Sequence, residues 1–250
     1  MPYRRLPKTD VTRIRSLEAL VAKDDARHEG VLVVGYKVVD EARSLLVRMK
    51  RAHQLYLQHY QVQAREGKRC QHHAYMARLY VSHFIHVLDM ATVRREIKPE
   101  LKKLYGLTPA SHTLPDLSTD AALTRWGHLV IEGEQARLRQ GGAPIYNPAI
   151  AKVSVYYNQY VESARMQQQY RQNTARALEQ VASMRGDVDA LLLEAWNQVE
   201  AAFSRLPLEQ RVERCREFGL IYYYRTGEQV PGDESQKEHN NSNGIIREDD

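Results

Sequence analysis

The sequence predicts an all-α protein: an elongated helical bundle of about six main helices with one short C-terminal strand. Three observations carry this. Pro and Gly are sparse, 9 and 13 in 250 residues, and residues 37–66 and 149–185 contain neither. Along both stretches apolar side chains recur at spacings of three and four, the period of a helix with one buried face. A helix of about 35 residues is roughly 50 Å long, too long for a compact fold of another class.

In chain order, Thr9 or Asp10 caps a first helix through Ile14, Leu17, Leu20 and Val21, with Gly30 as its stop. A long helix then carries Val38, Val39, Ala42, Leu45, Leu46, Met49, Ala52 and Tyr56. The run Glu66-Gly67-Lys68-Arg69 interrupts that pattern. A second stripe through Met76, Ala77, Tyr80, Val81, Phe84, Val87, Leu88 and Ala91 ends near Pro99. So short a break predicts an antiparallel pair of helices.

Residues 99–106 read as a helical turn. Ser118-Thr119-Asp120 offers caps for a helix through Leu123, Trp126, Leu129, Val130 and Ala136, which Gly141-Gly142 ends. Asn147 as cap and Pro148 in the first turn open the next helix, through Ile150, Val153, Tyr157, Tyr160, Ala164, Leu178 and Val181. Gly186-Asp187 separates it from a stripe of Leu191, Leu192, Ala195, Trp196, Val199 and Phe203. A last helix after Pro207 holds Val212, Cys215 and Phe218, and Gly219 closes it. The aromatic run Leu220-Ile221-Tyr222-Tyr223-Tyr224-Arg225 is the strand.

Residues 1–226 form the expected helical domain. Its segments 1–110 and 116–226 share an order: short helix, loop, very long helix, tight turn, final helix. Residues 227–250 have only Val230, Ile245 and Ile246 as aliphatics and are expected to be a disordered polar tail.

Composition narrows the class. The chain is 43% apolar, 27% charged and 8% aromatic, with no apolar run long enough to span a membrane. The N-terminus lacks the apolar core of a secretory signal. Two cysteines, Cys70 and Cys215, suggest a reducing compartment, so a cytoplasmic location is expected. Charge is uneven: residues 1–110 carry 21 basic and 11 acidic side chains, and residues 227–250 carry two basic and seven acidic ones. A basic front half fits nucleic-acid binding, a tail folded back on it, or an ordinary basic surface.

The opening Met1-Pro2-Tyr3-Arg4-Arg5-Leu6-Pro7-Lys8-Thr9-Asp10 resembles that of a family of uncharacterised all-helical bacterial proteins. The resemblance continues through Val81-Ser82-His83-Phe84-Ile85-His86-Val87-Leu88, Gly133-Glu134 and Gly141-Gly142-Ala143-Pro144-Ile145-Tyr146-Asn147-Pro148. It also takes in Trp196-Asn197-Gln198-Val199-Glu200 and residues 222–225. It implies an all-helical protein and brings no activity, cofactor or catalytic residue with it.

Three site readings follow from the residues. His83 and His86, three apart on one helix, would meet His53 across the expected antiparallel seam and leave an open position on a metal. The chain lacks the Glu-x-x-His pairs of di-iron bundles and the His-Glu-x-x-His motif. Arg94, Arg95, Lys98, Lys102 and Lys103 form a dense basic group suited to phosphate, without a helix-turn-helix or zinc-finger motif beside it. Tyr222, Tyr223 and Tyr224 lie on a strand that must pair within the chain, where residues 31–34 are a candidate, lie extended against helices, or offer its edge to a second copy or another protein.

Other groups read as structural. Cys70 beside His72 has no further partner for nucleophilic chemistry. Glu132 and Glu134 face different directions, whereas Glu134 and Arg137 are spaced for an intrahelical ion pair. The Gln-rich run 167–173 reads as a solvated midsection of the longest helix or as a polar docking face.

Without an assembled catalytic constellation, the sequence favours a non-enzymatic helical-bundle interaction or scaffold protein, with a protein partner or self-association and no cofactor. The alternatives are a metal-dependent helical enzyme using His53, His83 and His86, and a weak electrostatic binder of nucleic acid.

Overall fold

The computed structural model describes residues 3–25 and 33–223. Among these lie six α-helices and one two-stranded sheet: β1 (Tyr3–Arg4), α1 (Asp10–Asp25), α2 (Tyr36–Val93), α3 (Asp120–Arg139), α4 (Ile150–Ser183), α5 (Arg185–Ala202), α6 (Leu208–Glu217) and β2 (Tyr222–Tyr223). A 3-10 helix, Pro99–Tyr105, stands between α2 and α3. The all-α expectation holds. No helix among the described residues is long and apolar enough to cross a membrane.

Contacts divide the chain into two compact units, residues 1–55 with 178–250, and residues 56–177. Helices α2 and α4 contribute to both. The units therefore do not coincide with segments 1–110 and 116–226.

In the first unit α1 packs against α5 and α6. Thr9 Oγ1 accepts the Thr12 N–H and Thr12 Oγ1 accepts the Thr9 N–H, a reciprocal cap that starts α1. Leu17 and Leu20 of α1 and Leu192, Ala195, Trp196 and Val199 of α5 are fully buried. Arg13, itself buried, donates two hydrogen bonds to Asp189, at 2.8 Å each, and Arg185 clamps Asp10 in the same bidentate way. Gly219 ends α6 in the left-handed region, φ 82°, and its Cα faces the Ser16 backbone so closely that a Cβ would meet the Ser16 carbonyl oxygen at 2.8 Å.

The second unit is centred on Ala77, Val81, Phe84 and Leu88 of α2, Leu123 and Val130 of α3, and Val153 and Tyr160 of α4. Thr119 caps α3 by accepting the Ala122 N–H. The loop between the 3-10 helix and α3 is tied down by Arg78, whose guanidinium donates to the Leu117 and Ser118 carbonyls.

The main departure is α2. The expected break at residues 66–69 is absent, and one helix of 58 residues runs through it. A single glycine costs a helix only about 1 kcal/mol relative to Ala and leaves the backbone ladder intact. Here Gln167 of α4 lies over Gly67, its Nε2 3.2 Å from where a Cβ would stand. Gln167 is thus buried within the run expected to be solvated. Helix α4 begins at Ile150, not at Pro148, after a bridge between Tyr146 and Ala149, and α4 and α5 part at Met184, ahead of Gly186.

The terminal strand finds its partner inside the chain. Tyr222–Tyr223 pairs antiparallel with Tyr3–Arg4, in the register Tyr3 with Tyr223 and Arg4 with Tyr222. Val33 and Val34 form no strand. Tyr222 is held by its hydroxyl, which donates to Glu200 at 2.6 Å, and Arg4 donates to Glu200 and Asn197. Tyr222 and Tyr223 therefore do not form an unpaired strand. Tyr224, Gly30 and the polar tail lie outside the described residues.

Candidate docking groove

On α3 the buried positions run Leu123, Gly127, Val130, Gly133, Glu134 and Arg137. The apolar period thus continues into a charged pair. Glu134 is fully buried and Arg137 is 3% exposed. Leaving a charge at such depth is costly unless it is paired and hydrogen-bonded. Both conditions are met. Arg137 Nη2 donates to Glu134 Oε1 at 2.7 Å and to the Ala143 carbonyl at 2.8 Å, and Arg137 Nε donates to Glu134 Oε2 and to the Tyr105 hydroxyl, at 2.9 Å each. The Tyr105 hydroxyl in turn donates to Glu134 Oε2 at 2.5 Å, and the Ile145 N–H reaches Glu134 Oε1 at 3.3 Å. Burial and the neighbouring carboxylate push the Tyr105 phenol far above its ordinary range, so it stays a donor. For Arg137 burial works against the charge, and Glu134 and Tyr105 more than offset it.

Glycine makes the approach possible. A Cβ on Gly133 would stand 2.6 Å from the Tyr105 ring, and one on Gly142 would stand 2.6 Å from Arg137 Nη1. The charged cluster thereby fixes the backbone of residues 143–145 directly and leaves Tyr146 projecting, 81% exposed.

That loop forms one wall of a groove of about 850 Å³ in the second unit. The rest of its lining comes from the last turns of α2 and the segment after it, including Val87, Arg94, Ile97, Lys98 and Leu101. A volume of this size lies in the range of ligand-binding clefts, a few hundred to about 1,000 Å³.

The basic group named from sequence is split by the fold. Arg94 and Lys98 line the groove, with Arg94 paired to Glu96 at 2.7 and 3.0 Å. Arg95 sits at φ 63° outside the groove lining, and Lys103 is likewise not part of it. Lys102 points elsewhere: it is 2% exposed and donates to Asp89 at 2.5 Å and to the Ser111 carbonyl at 2.6 Å. His112 closes on the same Asp89 carboxylate at 3.1 Å. The five cations therefore do not form one phosphate-binding surface, because the fold consumes Lys102 internally.

The three histidines do not converge. His53, His83 and His86 all lie on α2, and the thirty residues between His53 and His83 are about eight turns of a single helix. The metal reading depended on a chain reversal that does not occur. No group of three His, Cys, Asp or Glu among the described residues is placed to hold a metal ion. Cys70 is half-buried and Cys215 is buried, with its thiol pushed up by burial.

Comparison with protein families, curated proteins and solved structures finds no match to this chain.

Proposed function

We propose that this chain is a non-enzymatic interaction protein that docks an extended segment of a partner protein in the groove of its second unit. One observation carries the reading: a fully buried ion pair is spent on fixing the loop that presents Tyr146 beside an open, half-apolar groove. Buried pairs add little net stability compared with apolar packing of the same volume. Their effect here is to hold the Ala143 and Ile145 backbone in one place, which lowers the ordering cost of binding. A projecting tyrosine on a rigid rim is the kind of anchor that dominates protein interfaces.

The test is selection of random displayed peptides against the full chain, with the Tyr146→Ser protein as counter-target. Peptides that bind the wild-type chain at least about tenfold more tightly are expected, the loss typical of removing an aromatic anchor. A selection that yields no such peptide ends this reading.

A further inference from the structure

Resting on that reading, we infer that the groove anchors its partner through a carboxylate seated on Arg137 Nη1, so that the partner is an acidic peptide segment. Arg137 has five N–H donors. Nε is taken by Tyr105 and Glu134, and Nη2 by Glu134 and Ala143. Nη1 has no hydrogen-bond partner among the described residues, nor is it one of the sealed side-chain atoms left unsatisfied. It lies on a residue that lines the groove, at the end of a side chain otherwise buried and held by four hydrogen-bond contacts.

Gly142 keeps this nitrogen open. Among the described residues the glycines with positive φ are 106, 141 and 219, so no left-handed conformation calls for glycine at 142. Space does, since any Cβ there would stand 2.6 Å from Nη1. The charges agree: among the described residues Arg94, Lys98 and Arg137 line the groove with a single carboxylate, Glu96, which is already paired to Arg94. Lys98 is exposed and takes part in no ion pair among the described residues. A directed N–H donor on a desolvated guanidinium, with an ammonium on the rim, suits a carboxylate. Val87, Ile97, Leu101 and Ile145 along the same walls suit an apolar side chain next to it. One unpaired rim cation is too few for a nucleic-acid backbone, whose repeated phosphates require a row of them.

The experiment takes the peptides selected on the wild-type chain and measures their affinity by fluorescence anisotropy as acidic and amide versions, Asp to Asn and Glu to Gln. The amide version is expected to bind about tenfold or more weakly, the scale of a lost charge-assisted contact. Gly142→Ala, which covers Nη1, is expected to weaken the acidic peptide by a similar factor and leave the amide version unchanged. Lys98→Gln should weaken the acidic peptide about threefold and flatten its salt dependence. Should Gly142→Ala melt early by circular dichroism, the acid-to-amide comparison on the wild-type chain still decides.

Peptides that need Tyr146 and bind equally well as amides would overturn the carboxylate anchor and leave the docking function standing. Failure to select any Tyr146-dependent peptide would remove both. Displacement of the peptide by a single-stranded RNA oligomer at lower concentration than by the acidic peptide itself would overturn the inference in favour of a phosphate ligand.

Discussion

Tyr157 lays its ring against the backbone of Gly127, so that a Cβ on the glycine would stand 2.2 Å from the ring edge, while the Tyr157 hydroxyl donates to the Thr124 carbonyl at 2.9 Å. The two residues join α4 to α3 by the absence of a side chain. Gly127→Ala is therefore expected to destabilise by about 1–3 kcal/mol through overpacking, despite the roughly 1 kcal/mol by which a helix prefers Ala. Gly186→Ala is the control. It lies in the first turn of α5 with nothing within 4 Å of a Cβ, and should stabilise by about 0.5–1 kcal/mol. Urea unfolding of both variants checks the pair, and a stabilised Gly127→Ala would refute the contact.

Lys102 and Asp89 make a second testable couple. Removing one partner strands a buried charge, so Asp89→Leu should cost about 3–5 kcal/mol. The double substitution Asp89→Leu with Lys102→Met should recover most of that, since an apolar pair leaves no charge behind. A double-mutant cycle by chemical denaturation is the measurement, and simple additivity would show that the two side chains do not depend on each other.

Acid and alkali should both unfold the chain through named groups. Asp10 is held below its ordinary value of 3.8, chiefly by the hydrogen bonds from Arg185. Burial raises Asp89, but Lys102 and His112 outweigh it and the net direction is down. A carboxylate with a depressed folded pKa stabilises above its unfolded value and loses that contribution as pH falls through the folded one. Stability should thus decline below about pH 4. Tyr105 and Tyr222 go the other way, raised from 10.0 mainly by burial. Their contribution is complete below pH 10 and is lost as pH rises beyond it. Thermal melts from acid to alkaline pH, run with Asp10→Asn and Tyr222→Phe, test both limbs. Tyr222→Phe should flatten the alkaline decline, and an unaltered slope would exclude Tyr222 from it.

Pairing of the terminal strands leads to an assembly prediction. Deleting residues 1–5 removes β1 and leaves the Tyr222–Tyr223 backbone unpaired. An exposed strand edge recruits another strand, so the truncated chain should show a higher mean mass than the full chain in light scattering across a dilution series. Equal masses at every concentration would show that this edge is inert.

The sequence alone determined the helical class and most helix positions. Stripes such as Val38, Ala42, Leu45 and Met49, or Leu192, Ala195, Trp196 and Val199, are buried as their spacing requires, because periodicity reports a face and a face must be covered. Part of the groove was also legible. The Glu134–Arg137 spacing predicts an ion pair, and the period of Leu123, Gly127 and Val130 runs straight into it, a signal of burial that was available. Tertiary structure decided what those residues meet. Gly67 is a helix breaker by local propensity and a helical residue under Gln167 in the fold. His53 and His83 are neighbours only if the chain reverses, and α2 does not reverse. Tyr105 reaches Glu134 across 29 residues, and Tyr3 meets Tyr223 across the whole described chain. Spacing encodes direction around a helix axis, over a turn or two. Which distant residue fills the space there is set by packing between elements, and that information is not local.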